Sequence, residues 1–231
     1  MELGQFQVMV IKRIIYIGEE NGSAIYYDTK SNTPLKADKS KLLNTQKSKN
    51  NYRYIIFIVI SLFLLKGLGV LFPTIDPFTG KYTVATILFL LILWCGEVIF
   101  FTMLVYKALY KNVNTSTLAN KKEFGYAIKN NNIWNLFKNK RVTNGKKLGV
   151  FFLIVSVVIL TLGIAPMIYA INGQEKILGS SISSEVIVIS LMGIMPFLCI
   201  LLLWLNNPLR WLSVAEKYQN KLIKYGEKDE K

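Results

Sequence analysis

Residues 83–106 read TVATILFLLILWCGEVIFFTMLVY, and this stretch decides the fold class of the chain. It contains a single charged residue, Glu97. About 20 apolar residues are enough for an α-helix to cross about 30 Å of hydrocarbon. In lipid the backbone must satisfy its own hydrogen bonds, so an apolar run of this length is predicted to be a transmembrane helix.

Three further runs have the same character. They are residues 54–72 (YIIFIVISLFLLKGLGVLF), 148–171 (LGVFFLIVSVVILTLGIAPMIYAI) and 186–205 (VIVISLMGIMPFLCILLLWL). The whole chain is 52% hydrophobic and carries a net charge of +14. We therefore expect an all-α polytopic membrane protein with four transmembrane helices, arranged as two antiparallel hairpins, and a small cytoplasmic β unit at the N-terminus.

The cationic residues fall almost entirely on one side of these runs. Residues 1–53, 107–147 and 206–231 hold 25 of the 28 lysines and arginines. Residues 73–82 and 172–185 hold only Lys81 and Lys176, and Lys66 lies inside the first run. The positive-inside rule then predicts a multi-pass protein of the cell membrane with both termini and the long middle loop in the cytoplasm.

The predicted organisation has five parts. An N-terminal region (1–53) and the first transmembrane hairpin (54–106) precede a basic loop (107–147), and the second hairpin (148–205) precedes a C-terminal helix (206–231). Runs three and four share the pattern Gly-Ile-X-Pro at residues 163–166 and 193–196. Pro166 and Pro196 are predicted to kink their helices, because proline removes one intrahelical hydrogen bond. In some transporters such positions mark a broken helix at a binding site, but Gly and Pro are also common in ordinary membrane helices.

The N-terminal region is predicted to be a β-hairpin. Residues 6–17 are rich in β-branched and aromatic side chains, residues 18–23 have turn chemistry and residues 24–28 form the return strand. A hairpin this small needs support from the middle loop or the membrane surface. Residues 31–50 are read as a polar, basic connector.

The middle loop and the C-terminus combine apolar and basic residues at helical spacing. Asn207 and Pro208 are predicted to begin the C-terminal helix. These patterns favour amphipathic helices that lie on the bilayer at its anionic cytoplasmic leaflet, although a surface for a partner protein would have the same composition.

Two charges inside the predicted spans need an explanation, because charge in hydrocarbon is costly. Lys66 and Glu97 lie at depths of about 18 Å and about 14 Å from the cytoplasmic boundary on adjacent helices. We predict a structural intramembrane ion pair that fixes the register of the first hairpin. In a second interpretation, Glu97 handles protons or ions.

The sequence lacks the residues of common active sites. It has no histidine, and its two cysteines, Cys95 and Cys199, lie inside apolar runs, where they are expected to be small buried packing residues. No Gly-rich phosphate loop or catalytic set is present. We expect no enzymatic activity, no cofactor and no metal site. Nucleic-acid binding is also not expected, since the cations flank apolar runs.

The N-terminal half resembles the tandem five-transmembrane family of uncharacterised Gram-positive membrane proteins. The resemblance rests on a tyrosine-rich strand that runs into a turn (AIYYDTKSN, residues 24–32) and on a basic connector centred on Leu-Asn-Thr (KLLNT, residues 41–45). The chain differs from the family in having polar residues at 31–38, where members have another apolar stretch, so it has four predicted spans. The resemblance implies a role in interbacterial competition, since some members are immunity proteins against membrane-depolarising toxins exported by type VII secretion.

Three functions are therefore compatible with the sequence. The first is an immunity protein that binds the membrane-inserting part of a secreted toxin, with outer-face contacts at Asp76, Lys81, Glu175 and Lys176. The second is a small permease or accessory subunit of a membrane transporter, which would bind a cytoplasmic ATPase through residues 107–147. The third is a membrane scaffold or assembly factor.

Overall fold

The computed structural model describes residues 13–43, 80–131, 134–135, 140–171, 178–179, 181–182 and 185–225, without the side chains of 164–171, 185, 187 and 188. The described residues form two compact units. We call the first the sheet unit; it contains the described residues within 1–44, 102–156 and 199–231. We call the second the helix unit; it contains the described residues within 45–101 and 157–198.

An antiparallel sheet forms the centre of the sheet unit. Its strands are β1 (Ile14–Glu20), β2 (Ser23–Asp28), β3 (Thr33–Asp38) and the two-residue β4 (Thr117–Leu118), in the order β1-β2-β3-β4. Asn21 and Gly22, with φ of 43° and 86°, connect β1 to β2. Positive φ at both positions is the signature of the tight hairpin turn that an Asn-Gly pair favours.

Two sequence predictions for this region need correction. The first strand continues to Glu20, so the turn is Asn21–Gly22 rather than residues 18–23, and residues 6–12 lie outside the described part. Residues 33–38, predicted as part of a connector, form β3. Their strand structure depends on backbone pairing with β2 on one side and β4 on the other, and side-chain patterning does not reveal such pairing.

Two amphipathic helices belong to the sheet unit. Helix α2 (Lys121–Lys129) begins with a capping box between Asn120 and Glu123, and it packs mainly on β1. The C-terminal helix (Pro208–Gln219), which also contacts β1, begins as predicted, with Asn207 as its cap and Pro208 in its first turn. Of the two supports predicted for the hairpin, the middle loop or the membrane surface, the structure shows packing on helix α2 of the middle loop.

The apolar faces of these helices are buried inside the protein. Phe124, Ile128, Trp211 and Leu212 are all buried. The prediction that these faces lie on the bilayer is therefore wrong for the described residues, because the sheet covers them instead. Lys217 of the C-terminal helix donates to Tyr27 Oη at 3.3 Å and to Asn32 Oδ1 at 3.0 Å, within the sheet unit.

The other α-helices of the described residues are apolar, two of them long and two short. They are α1 (Val84–Tyr110), α3 (Asn144–Ile171), α4 (Glu185–Ser190) and α5 (Ile194–Ile200); a π-helical turn (Leu201–Leu205) leads to α6 (Pro208–Gln219). Among the described residues, three helical stretches are long and apolar enough to cross a membrane: Val84–Thr115, Asn144–Gly163 and Ile194–Gln219. Many of their large side chains are exposed, such as Ile92 and Phe152, which suits contact with lipid.

The predicted spans compare with these helices as follows. Runs 83–106 and 148–171 correspond to α1 and α3. Run 54–72 lies outside the described residues. The run 186–205 is not one regular helix, because it is interrupted at residues 191–193 between α4 and α5.

Candidate functional site

Glu97 is the only charged residue within the apolar run that forms most of helix α1. Its Oε2 atom is buried and has no hydrogen-bond partner among the residues that the structure describes. A buried polar atom without a partner costs free energy, and a carboxylate costs the most. Glu97 is therefore the strongest candidate for a functional side chain in the helix unit.

Gly193 lies directly against this carboxylate. A Cβ atom built on Gly193 would come within 2.5 Å of Glu97 Oε2 and 2.7 Å of both Cα and O of Trp94. No real side chain fits in that space, so only glycine allows the backbone at 193 to approach α1 this closely.

The approach occurs where the fourth apolar run is interrupted. The amide of Met192 donates to Ile189 O at 3.2 Å, and that of Ile194 donates to Leu191 O at 3.1 Å, so tighter turns replace the α-helical pattern here. Trp94 Nε1 also donates to Ile189 O, at 2.7 Å. These contacts hold α1 against the interruption and the end of the short helix before it.

Pro196 has a different role from the predicted one. It is the third residue of α5, and the backbone N–H groups of a helix's first turn have no intrahelical partner. Proline therefore costs little at this position, and the interruption lies before it rather than at it. Helix α3 runs through Pro166 to Ile171 without interruption, and a kink there stays a prediction.

An open cavity of about 490 Å³ adjoins Glu97. Among the described residues, the carboxylate is the one charged group of the lining. The others are apolar or glycine, namely Phe89, Ile92, Leu93, Gly96, Phe100 and Phe101. The cavity thus combines an aromatic, lipid-like surface with one acidic group.

Of the remaining predicted site residues, the structure describes only Lys81. Lys66, Asp76, Glu175 and Lys176 lie outside the described residues, so the Lys66–Glu97 pair stays a prediction. Lys81 is exposed and forms an antiparallel bridge with Ser181. Backbone hydrogen bonds from Gly179 to Tyr82 O (2.9 Å) and from Ile182 to Gly80 O (2.8 Å) flank it. The ends of the two predicted outer connections therefore pair with each other.

The cysteines do not match the prediction of buried packing. Cys95 is exposed and Cys199 is partly exposed, and neither forms a disulfide. Cys95 lies on a face of α1 that the described residues leave uncovered.

Hydroxyl groups hold the helix ends within the sheet unit. Tyr26 donates to Leu109 O at 2.7 Å and Ser40 to Ala108 O at 2.7 Å, at the C-terminal end of α1. Tyr110 donates to Leu205 O at 2.6 Å. The last carbonyls of a helix lack intrahelical partners, and these side chains supply partners for three such groups near helix ends.

The tyrosine strand of the family resemblance is the centre of this arrangement. Tyr26 and Tyr27 are buried on opposite faces of β2, and Tyr27 donates to Asn32 Oδ1 at 2.7 Å. Asp28 accepts from Arg13 Nε at 2.8 Å and Nη2 at 2.5 Å. This bidentate contact with the guanidinium lowers the pKa of Asp28 to about 2. The resemblance motif therefore has a structural role in the sheet unit.

Sequence reasoning did not identify Trp94 or Gly193 as neighbours of Glu97. The Gly-Ile-X-Pro pattern did mark Gly193, but Trp94 and its acceptor Ile189 are 95 residues apart. No local pattern predicts a contact across that separation.

The arrangement permits proton or ion binding at one carboxylate and contact with apolar partners. Among the described residues, no group of three or more Cys, Asp or Glu side chains is placed to hold a metal ion. Comparison with known proteins finds no matching family model, no similar curated protein and no similar solved structure.

Proposed function

We propose that the chain is a non-enzymatic membrane protein with four spans and cytoplasmic termini, and that it is an immunity protein. It would protect the producing cell from a secreted toxin that depolarises membranes. The topology and the immunity role have separate support.

Two sets of contacts support the topology. The three basic segments come together in the sheet unit: β4 from the middle loop pairs with β3, and Trp211 Nε1 donates to Ile17 O at 2.9 Å. Segments that pack together must lie on the same side of a membrane. The bridge between Lys81 and Ser181 likewise supports a common side of the membrane for the two outer connections. The positive-inside rule then favours the cytoplasm for the sheet unit.

The immunity role is supported by the resemblance of residues 24–32 and 41–45 to the tandem five-transmembrane family. Residues 24–28 lie in the central part of the sheet, and Ser40 and Leu43, at the start of the connector, pack at the end of α1. The resemblance thus involves the part of the chain that organises the sheet unit. This is the observation that carries the proposal.

The proposed mechanism is binding of the toxin's apolar segment within the bilayer, which would prevent its assembly into a pore. The exposed apolar faces of α1 and α3 are the surfaces available for such contact. At the outer face, Lys81 is exposed and available to a toxin that arrives from outside.

The transporter alternative has less support from the sheet unit. An accessory subunit that docks an ATPase through residues 107–147 needs apolar side chains on its surface. Phe124, Ala127 and Ile128 are instead buried against the chain's own sheet, although Leu118 and Tyr126 remain exposed. A scaffold or assembly factor is a third alternative that no contact specifically favours.

The immunity proposal can be tested in a toxin-sensitive cell. We expect the chain, expressed alone, to preserve the membrane potential when the cell is challenged with the membrane-depolarising toxin of the producing strain. Unchanged depolarisation with confirmed membrane expression would refute the proposal. Lys81→Ala should reduce protection, and the matched variant Lys121→Ala, at an exposed lysine of the sheet unit, should not.

A further inference from the structure

Glu97 has a property that the immunity role does not require. We propose that Glu97 is a proton-binding site: its carboxyl carries a proton while α1 is packed against Gly193, and it releases that proton only when the contact opens. The proposal does not depend on the immunity function.

The geometry of the contact with Gly193 favours a neutral carboxyl. Oε2 is buried without a hydrogen-bond partner among the described residues, and the backbone of Gly193 occupies the space beside it. Oε2 is inaccessible to water while this contact is closed, although Glu97 lines an open cavity and the backbone N–H of Gly193 donates to the carboxyl group. The loss of solvation outweighs this one backbone contact. A carboxyl in such a position avoids the cost of a buried charge by taking up a proton.

The described elements around Glu97 supply no compensating charge, while Lys66 lies in the run 54–72, outside the described residues. Helix α1 up to Tyr106 and residues 186–205 contain no other Asp, Glu, Lys or Arg. Their remaining titratable side chains are Cys95, Tyr106 and Cys199, and Glu185 begins α4. None of these is a cation that would stabilise an ionised carboxylate.

The helical interruption at residues 191–193 gives this contact a way to open. An interrupted membrane helix can change its packing more readily than a continuous one, because fewer hydrogen bonds have to break. Ionisation of Glu97 would favour movement of the carboxylate away from Gly193 toward water or the cavity. Proton binding and closure of this contact are therefore coupled.

An apolar carbodiimide provides a direct test. The acid proton of a neutral carboxyl passes to a carbodiimide nitrogen while the carboxyl oxygen bonds to the central carbon. The resulting O-acylisourea rearranges to a stable N-acylurea that retains every atom of both reactants. We expect dicyclohexylcarbodiimide to label the full chain in lipid vesicles at Glu97, with labelling falling at least about tenfold between about pH 6 and about pH 9.

Two variants make the labelling specific. Glu97→Gln should remove the label, and Glu123→Gln should retain it, because Glu123 is a carboxylate of the sheet unit paired with Lys36 at 2.7 Å. Labelling that is absent at every pH, or that is independent of pH, would overturn the proposal. If labelling appears only after Lys66→Met, Glu97 is normally ionised and paired with Lys66, and the proposal is likewise wrong.

The stability of Glu97→Gln gives an independent measurement. An amide has nearly the size of a protonated carboxyl and no charge, so the variant should keep its thermal midpoint within about 2 °C at pH 7. A carboxylate that is ionised and paired predicts a larger fall, because its partner would be left uncompensated. A larger fall would therefore contradict the proposal even if the labelling were ambiguous.

Discussion

The sheet unit and the helix unit use polar groups in opposite ways. In the sheet unit, polar side chains join segments far apart in the sequence: Tyr26 to Leu109, Lys36 to Glu123 and Trp211 to Ile17. In the described part of the helix unit, the closest packing involves a glycine backbone and leaves a carboxylate oxygen without a partner. Close glycine contacts occur in both units, at Gly18 and at Gly193. Many side-chain bonds join distant segments of the sheet unit, whereas in the described helix unit the bond from Trp94 to Ile189 O accompanies the contact at Gly193.

This difference suggests where each unit is sensitive to substitution. The sheet unit also has two buried oxygens without a hydrogen-bond partner among the described residues, Glu20 Oε2 and Thr102 Oγ1, but several side-chain bonds join its distant segments. A partly satisfied polar site in a region with fewer such bonds is where a structure changes most easily. We therefore expect the sheet unit to act as a fixed support and the helix unit to contain the element that responds to a ligand or to a proton. Four substitutions or conditions test the comparison.

The largest effect is expected at the core of the sheet unit. Phe124 is completely buried and contacts Tyr27, Tyr218 and Tyr225. Phe124→Ala should lower the free energy of unfolding by about 3–5 kcal/mol, through lost apolar burial and a cavity. Tyr126→Ala is the matched control, since Tyr126 lies on the same helix and is 52% exposed. Urea unfolding followed by tryptophan fluorescence in nanodiscs would measure both, and equal losses would mean that α2 does not pack as described.

The next effect is expected at the closest contact of the helix unit. Gly193→Ala places a methyl group against the backbone of Trp94, so the helices must separate, at a cost of about 1–3 kcal/mol or more. Gly96→Ala is the control on the facing helix, because nothing lies within 4 Å of its Cβ position. Thermal unfolding in lipid would distinguish them. If Gly193→Ala were as stable as Gly96→Ala, the close approach at Gly193 would be refuted.

The hydropathy of the sequence predicted α1 and α3 to within a few residues, because lipid exposure and helix formation both follow from a long apolar run. Strands β3 and β4 were missed, since they form only by pairing with each other and with β2. The interruption at residues 191–193 lies within a run that is apolar throughout, so hydropathy could not reveal it. Glu97 was identified as a candidate from its charge alone, while its neighbours Gly193 and Trp94 required tertiary structure.

A moderate, pH-dependent effect is expected from the pair between Arg13 and Asp28. Because folding lowers the pKa of Asp28 from 3.8 to about 2, the pair stabilises the fold above about pH 4. That stabilisation is lost as the pH falls through about 2, since the unfolded chain binds the proton more readily. The loss should be about 1–2 kcal/mol, because Arg13 is half exposed and solvent screens part of the interaction.

The variant Asp28→Asn isolates this contribution. It should be less stable than the original chain at neutral pH and should lose less stability on acidification. Unfolding curves at a series of pH values would show this as two profiles that converge in acid. Parallel profiles would mean that other carboxyl groups cause the acid sensitivity of the sheet unit.

The smallest effect is expected from a single hydroxyl. Tyr26→Phe removes the buried hydrogen bond to Leu109 O and leaves that carbonyl without its side-chain donor, which should cost about 1 kcal/mol. Tyr126→Phe, at an exposed ring, should cost almost nothing. Hydrogen exchange of the amides in residues 102–110 would then reveal whether the sheet holds the end of α1: faster exchange in Tyr26→Phe with unchanged exchange in residues 84–100 is expected. Faster exchange along the whole helix would mean instead that the two units respond together, and that the sheet is not a fixed support.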